Sequence, residues 1–582
     1  MWQVLLFAAA GVWVMIQHMV PVGSIGSEAL SLPFDDAFIT WRYVERAATG
    51  HGLTWNDGEA VFGISTPLYA LVLLVVRLLS APMDISLPVL GLAVNGVLSV
   101  VAAGLLWRLL RQWWPGRPGW AWATALLWLV DPGEIGVSLG GMETNLVLAL
   151  WALVLQRQVL TRPILAGVLG GLACLARPES LVLVGPLVLH AIGICTPHIG
   201  MGVGGRLRLA LPTLARNAMG SILAVAPWFA FALMNYGDLV PHSIRAKGAP
   251  LYDLAPGRAL QDALFASGLP RPGGAWLGRV AANAGVGGQM AISLQYGLSL
   301  LLLLALATVL IRWQQSIFSQ SKTVPEGRAS VVAPHDHGQW ASGLRVRPEA
   351  LSSPLLALVL LLALYLLGNP FLLPWYLPPL RWLTRLAMLG CALALADRAL
   401  HDVGAMRWRR VLALTLLFAT GGWLANSAGV AWTLRRLPTP AAYDAIVRDP
   451  TRQRIRAYST AARWLTNHAE QDARVMASEI GQLGWSWPGH IIDSCALVSA
   501  ESLPFLPIPT DESTSPETPG IPKAAIERLR PDFIVSLPVF TRQSVDADPT
   551  LRSNYQEVAR VPLVSPLWGD EALRILRRRS ER

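Results

Sequence analysis

The chain alternates long apolar runs with short polar connections over most of its first 435 residues. A helix that spans a membrane needs about 20 apolar residues, or fewer where neighbouring helices bury it. By that measure about eleven runs predict spanning helices, and the first is expected to be retained because it lacks the basic start and cleavage site of a signal peptide. The predicted spans lie at 2–22, 88–108, 119–131, 144–160, 164–176, 180–195, 210–234, 289–311, 351–368, 377–396 and 410–432.

The connections differ in charge, and the basic ones alternate with acidic ones. Lys and Arg concentrate on the cytoplasmic side of membrane proteins. The pattern therefore predicts a cytoplasmic N-terminus and an exoplasmic C-terminal region. The basic connections carry Arg108, Arg111, Arg117, Arg157, Arg162, Arg206, Arg208, Arg216, Arg312, Lys322, Arg328, Arg398, Arg407, Arg409 and Arg410.

The apolar segment 66–80 is too short to span and contains Arg77, so it predicts a helix on the membrane surface or re-entering it. The tail has an ordinary polar composition, which divides the chain into a transmembrane domain, 1–435, and an α/β domain, 436–582. Alternating patterns in the tail predict strands within 474–485, 490–499, 531–538 and 555–564, and helices over 451–470 and 522–530.

Composition supports lipid as the main solvent. Hydrophobic residues make up 53% of the 582 residues and charged residues only 14%, whereas soluble proteins are about 25% charged. The net charge of +10 is explained by the basic connections, so no nucleic-acid partner is expected. Of the four cysteines only Cys495 lies in the tail, which excludes an intramolecular disulfide there, and no metal-ligand spacing is present.

The densest polar cluster stands in the first predicted exoplasmic loop, 23–87, where Asp35 and Asp36 precede a helix expected at Ala37–Ala48. One carboxylate of such a pair can cap the helix while the other faces a cavity and accepts a proton. A solvated loop is the structural alternative.

Residues 35–69 resemble the first exoplasmic loop of GT-C-fold glycosyltransferases, which use polyprenyl-phosphate sugars. The resemblance continues in order along most of the chain, and the nearest branch contains mycobacterial terminal arabinofuranosyltransferases and bacterial membrane mannosyl- and arabinosyltransferases. The motifs that carry it are GGMETN (140–145), ARPES (176–180), NYGDLVPHSIRAKG (235–248), NPFLLPWYLPPL (369–380), ASEIGQLGW (477–485) and IIDSCALV (491–498).

This resemblance implies an inverting transfer of a sugar from a polyprenyl-phosphate donor to a cell-envelope glycan or glycolipid, in the plasma membrane of a bacterium. It implies Asp35 as the general base, favoured over Asp36. The chain departs from the family pattern at His242-Ser243, which leaves the donor sugar open.

The departing lipid phosphate requires cations, and the candidates are Arg177, Arg245 and Lys247, with His242 beside them. Arg245 and Lys247 are equally consistent with cations that extend from the membrane interface. For Arg177, a structural ion pair with Glu179 is an equal alternative.

Four further residues are candidates for supporting roles: Glu143, Glu179, Trp375 and Tyr376. Glu143 fits a first-turn helix acid at least as well as a catalytic group. Trp375 and Tyr376 fit an aromatic belt at the membrane interface or a groove for the prenyl chain.

Two other functions fit the same pattern. A transporter or flippase for lipid-linked sugars would have internal repeats and charges near the middle of the bilayer, and the sequence has no visible repeat. A non-catalytic envelope-assembly protein on the same scaffold remains open because a fold does not determine an activity. Apart from the lipid-linked donor, no cofactor is implied.

Overall fold

The computed structural model describes residues 2–25, 33–194, 203–248, 251–266, 349–401 and 450–579. Up to residue 401 the described chain is helical. Its helices are α1 (Trp2–Ile25), α2 (Asp35–Ala48), α3 (Pro67–Leu79), α4 (Leu87–Trp113), α5 (Pro118–Leu129), α6 (Pro132–Ser138), α7 (Thr144–Val154), α8 (Arg157–Leu160), α9 (Pro163–Ala176), α10 (Val184–Ile194), α11 (Val203–Tyr236), α12 (His242–Gly248), α13 (Arg258–Ala266), α14 (Glu349–Gly368) and α15 (Leu377–His401).

Three described helical segments, Trp2–Met19, Leu87–Trp113 and Arg208–Tyr236, are long and apolar enough to cross a membrane, by length and composition. Every predicted span within the described residues overlaps a helix, but several of these helices are short, such as α5, α7 and α9. The predicted spans at 289–311 and 410–432 lie outside the described residues. The count of about eleven spans is therefore not confirmed.

The surfaces of these helices are apolar, with Met234 and Leu367 exposing 85% and 83% of their area. Two of these helices approach closely through small residues, as helices in membranes often do. A Cβ at Gly167 of α9 would stand 1.9 Å from the Asn217 carbonyl oxygen of α11, and one at Gly220 would stand 2.1 Å from the Ile164 carbonyl oxygen. Glycine at these two positions lets the backbones of α9 and α11 touch.

The segment 66–80 forms helix α3 as expected. It packs on α2, α4 and α9. Arg77 near its end makes a bidentate ion pair with Glu45 of α2, with both N–O distances at 2.9 Å. The charge that interrupts the apolar run therefore connects two helices of the first loop.

The described C-terminal residues form a small α/β domain, as predicted. Its elements are α16 (Pro450–His468), β1 (Arg474–Ala477), α17 (Gly481–Ser486), β2 (His490–Asp493), α18 (Lys523–Leu529), β3 (Phe533–Ser536), α19 (Pro538–Thr541), α20 (Pro549–Asn554), β4 (Tyr555–Leu567) and β5 (Asp570–Arg578). The strand order is β2-β1-β3-β5-β4. β1 pairs in parallel with β2 and β3, whereas β5 pairs antiparallel with β3 and β4.

The structure differs from the prediction for this domain in two places. The segment 474–485 is a strand only as far as Ala477, and its second half is helix α17. Strand β5 was missed because its sequence, DEALRILRR, is rich in residues that favour helices. Pairing with β3 and β4 overrides that propensity.

Helix α17 of this domain meets the helical bundle, and α2 holds it at both ends. At its start, the Asp35 carboxylate accepts hydrogen bonds from the backbone N–H groups of Gly481 and Gln482, both at 2.8 Å. At its end, the Arg42 guanidinium donates to the carbonyl oxygens of Gly484 and Trp487. The backbone N–H groups at the start of a helix and the carbonyl groups at its end lack partners within the helix, and these contacts satisfy them. The negative carboxylate lies at the start of α17 and the positive guanidinium at its end, as the helix dipole favours.

A second contact extends this junction to the sheet. The Asn56 side chain donates to the Ile491 carbonyl oxygen at 3.0 Å and accepts from the Ile491 N–H at 3.1 Å. The amide therefore pairs with β2 as a neighbouring strand would. The turn around Asn56 thus binds the first loop to the C-terminal domain.

We expect Gly481→Ala to weaken this junction. The new Cβ would stand 1.9 Å from the Asp35 carbonyl oxygen, so backbone must move. Overpacking of this kind costs about 1–3 kcal/mol of unfolding free energy, measurable by denaturation of the purified protein in detergent.

Gly104→Ala in α4 is the matched control because nothing lies within 4 Å of its Cβ position. An equal effect of the two substitutions would contradict the close contact between α2 and α17.

Candidate functional site

A cavity of about 260 Å³ opens at the end of the bundle where α2 begins. Helices that end or begin beside prolines form its walls. Arg177, which precedes Pro178, has the extended conformation that a residue before proline favours, with φ −163° and ψ 126°, and this ends α9. The turn Pro374–Tyr376 and helix α12, which follows Pro241, supply two further walls.

The structure brings most of the sequence-predicted site residues to this cavity. The predicted residues that line it are Asp36, Glu143, Arg177, Glu179, Lys247, Trp375 and Tyr376. They come from separate segments of the chain, and the ordered motifs that resembled the glycosyltransferase family contain all of them.

Asp35 and Asp36 have different surroundings. Both oxygens of the buried Asp35 carboxylate are occupied by the backbone of α17, and neither aspartate caps its own helix, whose N-cap is Phe34 without a side-chain bond. Asp36 lines the cavity. The geometry therefore favours Asp36, and not the preferred Asp35, as the carboxylate that can accept a proton from a bound molecule.

The electrostatic surroundings of Asp36 suit a base. Burial raises the pKa of its carboxyl above the usual range, while Lys247 lowers it. In turn, Tyr376 and Asp36 raise the pKa of Lys247. The Lys247 Nζ lies 3.5 Å from the Tyr376 hydroxyl and 6.0 Å from the centre of its ring.

Arg177 is held by groups of the protein itself. Its Nη1 lies 3.1 Å from the Glu143 carboxylate and donates to the Trp375 carbonyl oxygen at 2.8 Å. Its Nε lies 3.2 Å from Glu179, and the guanidinium covers the Tyr376 ring at 4.2 Å. The structural alternative for Arg177 is therefore present, with Glu143 as an additional partner.

His242 and Arg245 are not among the described residues that line the cavity. Arg245 is half exposed and pairs with Asp238 on the outer side of α12. The His242 backbone N–H donates to the Phe62 carbonyl oxygen at 2.7 Å, and burial together with Arg245 lowers the pKa of its ring. Of the predicted cations, Lys247 is the one placed to meet an anion without breaking an internal ion pair.

Sequence reasoning missed Ser243. Its side chain is buried, with 7% of its area exposed, and its hydroxyl has no hydrogen-bond partner among the described residues. It lines the cavity from the same helix as Lys247. A buried hydroxyl without a partner is costly, so this atom indicates a position where a bound molecule would form a hydrogen bond.

The C-terminal domain also reaches this region. Glu479 stands two residues before Gly481 and pairs with Arg454 of α16. Burial raises the pKa of Glu479 to about 7, Arg454 lowers it, and the carboxylates of Asp35 and Asp36 raise it further. The approach of Glu479 and Arg454 to the two aspartates depends on the junction between α2 and α17, which the sequence alone does not show.

Among the described residues, no group of three or more His, Cys, Asp or Glu side chains is arranged to hold a metal ion.

Residues 445–576 match the model of a family described as a domain of unknown function (DUF8728). The matched segment contains α16 and the sheet up to Leu576 of β5. No curated protein matches the chain.

We expect Glu143→Gln to destabilise the protein. The Glu143 and Arg177 side chains expose only 3% and 5% of their area, so loss of one charge leaves the other buried with less compensation. Breaking a buried pair costs about 3 kcal/mol or more of unfolding free energy, which denaturation in detergent would measure.

Glu179→Gln is the control, because the Glu179 side chain is 23% exposed. Its effect should be the smaller of the two. A larger loss of stability in Glu179→Gln would show that Glu143 is not the main partner of Arg177.

Proposed function

We propose that the chain is a glycosyltransferase that moves a sugar from a polyprenyl-phosphate donor to a glycan or glycolipid acceptor. The observation that carries the proposal is the cavity at one end of the helix bundle. It brings together a carboxylate with a raised pKa, a lysine and a buried hydroxyl that has no hydrogen-bond partner among the described residues. The ordered resemblance of the motifs around this cavity supplies the substrate class.

In this mechanism Asp36 takes the proton of the acceptor hydroxyl as that oxygen attacks the anomeric carbon. A new C–O bond forms, the bond between the sugar and the phosphate breaks, and the lipid phosphate leaves with both electrons of that bond. An inverting transfer needs this one step. A positioned base contributes about 10²–10⁴-fold to such a rate.

Lys247 meets the negative charge that develops on the departing phosphate, and Ser243 donates a hydrogen bond to it. Both lie on α12 and line the cavity with Asp36. Arg177 acts through its position: it fixes Tyr376, Glu143 and the Trp375 carbonyl group and so holds the cavity wall. The aromatic pair at 375–376 would border the first isoprene units.

The same proposal places the chain in the plasma membrane of a bacterium, with the cavity and the C-terminal domain on the exoplasmic side. The basic connections of the sequence support this orientation. The acceptor would approach from the side of the C-terminal domain.

We expect Asp36→Asn to lower the transfer rate by about 10²–10⁴-fold while the protein stays folded, because the amide cannot accept the proton. The assay uses proteoliposomes and a panel of radiolabelled polyprenyl-phosphate sugars with membrane-extracted glycans as acceptors. Asp35→Asn is the contrast: it should lower the melting temperature by weakening the contact with α17.

Full activity of Asp36→Asn would exclude this residue as the base. Movement of lipid-linked sugar across the bilayer without any transfer product would favour a flippase.

We expect the pH dependence of kcat/KM to report Asp36. Its pKa is raised by burial, so the base form is lost, and the rate falls, at a higher pH than for an ordinary aspartate with a pKa of about 3.9. Because Lys247 lowers this pKa, Lys247→Gln should move the acid limb to still higher pH. An acid limb that does not move would show that the group titrating in it is not coupled to Lys247.

A further inference from the structure

The hairpin of strands β4 and β5 ends in an apolar tip. The segment Val561–Gly569 reads VPLVSPLWG and contains no charged residue. Val558, Val564 and Trp568 are the exposed large apolar side chains among the described residues 450–579, with exposures of 38%, 76% and 42%. Two of the three therefore stand at this tip.

Two irregularities of the backbone expose the Val564 and Trp568 side chains. Between Pro562 and Leu567 the register of β4 shifts relative to β5, so a bulge carries Val564 outward. The two-residue turn is Trp568-Gly569, with φ of 52° and 84°. A hairpin turn of this kind favours Asn-Gly, and a bulky residue at positive φ is strained. Strain of this kind concentrates at functional sites.

The bulge is fixed to helix α16. The Gln453 side chain donates to the Ser565 hydroxyl at 3.2 Å and accepts from the Ser565 N–H at 3.0 Å. The next residue, Arg454, covers the Trp568 ring at 5.5 Å. The tip is therefore held in place and does not extend freely from the domain.

This contact also places the tip near the helix bundle. Arg454 pairs with Glu479, which lies two residues before Gly481, and the N–H of Gly481 binds Asp35 at the start of α2. The tip thus holds exposed Trp and Val side chains beside a bundle that contains candidate membrane spans, and Trp is enriched at the membrane interface.

We propose that the β4–β5 tip is a membrane-contact site, whose Val564 and Trp568 side chains enter the headgroup region of a lipid bilayer. The contact would hold the C-terminal domain against the membrane beside the cavity of Asp36. It does not depend on the reaction that the cavity performs.

The test compares two exposed valines of the same strand. Val564→Cys at the tip and Val558→Cys near the other end of β4 are each labelled with an environment-sensitive fluorophore on the full chain. The protein is reconstituted in nanodiscs of phosphatidylcholine and phosphatidylglycerol that contain lipids with a doxyl quencher near the headgroup. The unsubstituted chain, treated in the same way, gives the background from native cysteines.

We expect the fluorophore at 564 to lose most of its emission to the doxyl lipid and the one at 558 to retain it. Equal quenching at the two positions, or none at 564, would overturn the proposal. Protection of 564 by a soluble oligosaccharide with no doxyl quenching would also overturn it, and would indicate a glycan site.

A second variant separates membrane contact from folding. Trp568→Asn relieves the strain of a bulky residue at positive φ, since Asn is favoured there, so the fold should be retained. Quenching at 564 in a V564C/W568N chain should nevertheless fall. Undiminished quenching together with a retained far-UV circular dichroism spectrum would show that Trp568 does not contribute to the contact.

Discussion

The structure depends on the way in which one helix of the first loop, α2, holds one short helix of the C-terminal domain, α17. Asp35 and Arg42 stand seven residues apart on α2, about 10 Å along its axis, which matches the length of a two-turn helix. Asp35 satisfies N–H groups at the start of α17, and Arg42 satisfies carbonyl groups at its end. A helix this short has few internal hydrogen bonds, so this contact supplies much of its hydrogen bonding.

The contact requires two glycines and determines the roles of neighbouring residues. Gly481 and Gly484 bring the α17 backbone against Asp35 and Trp55, where a Cβ would stand 1.9 Å and 2.6 Å from the nearest atoms. Because Asp35 is occupied in this way, Asp36 is left to line the cavity. Of these two adjacent carboxylates, Asp35 therefore holds the structure together, whereas Asp36 stands where it can contact a bound molecule.

The three cations near the cavity also differ in their surroundings. Arg177 is enclosed by Glu143, Glu179 and Tyr376, and its planar guanidinium suits this fixed set of partners. Lys247 carries a point charge on a flexible stem and lies beside Asp36 and Tyr376, where a bound anion can reach it. Arg245 is turned away toward Asp238. Three cations that are equivalent as candidates in the sequence thus have three different environments.

The family resemblance singled out the motifs that meet at the cavity. The helical, apolar character of the first part of the chain, the α/β tail and helix α3 can all be predicted from the sequence alone. These follow from local periodicity and from composition, which act over a few residues. It took the folded structure to show that Asp36 and not Asp35 faces the cavity, that Arg177 pairs with internal carboxylates and that 570–578 is a strand. The same holds for the Ser243 hydroxyl, which has no hydrogen-bond partner in the part of the chain that the structure describes. Each of these depends on groups far apart in the chain, such as Asp35 and Gly481, whose approach no local pattern encodes.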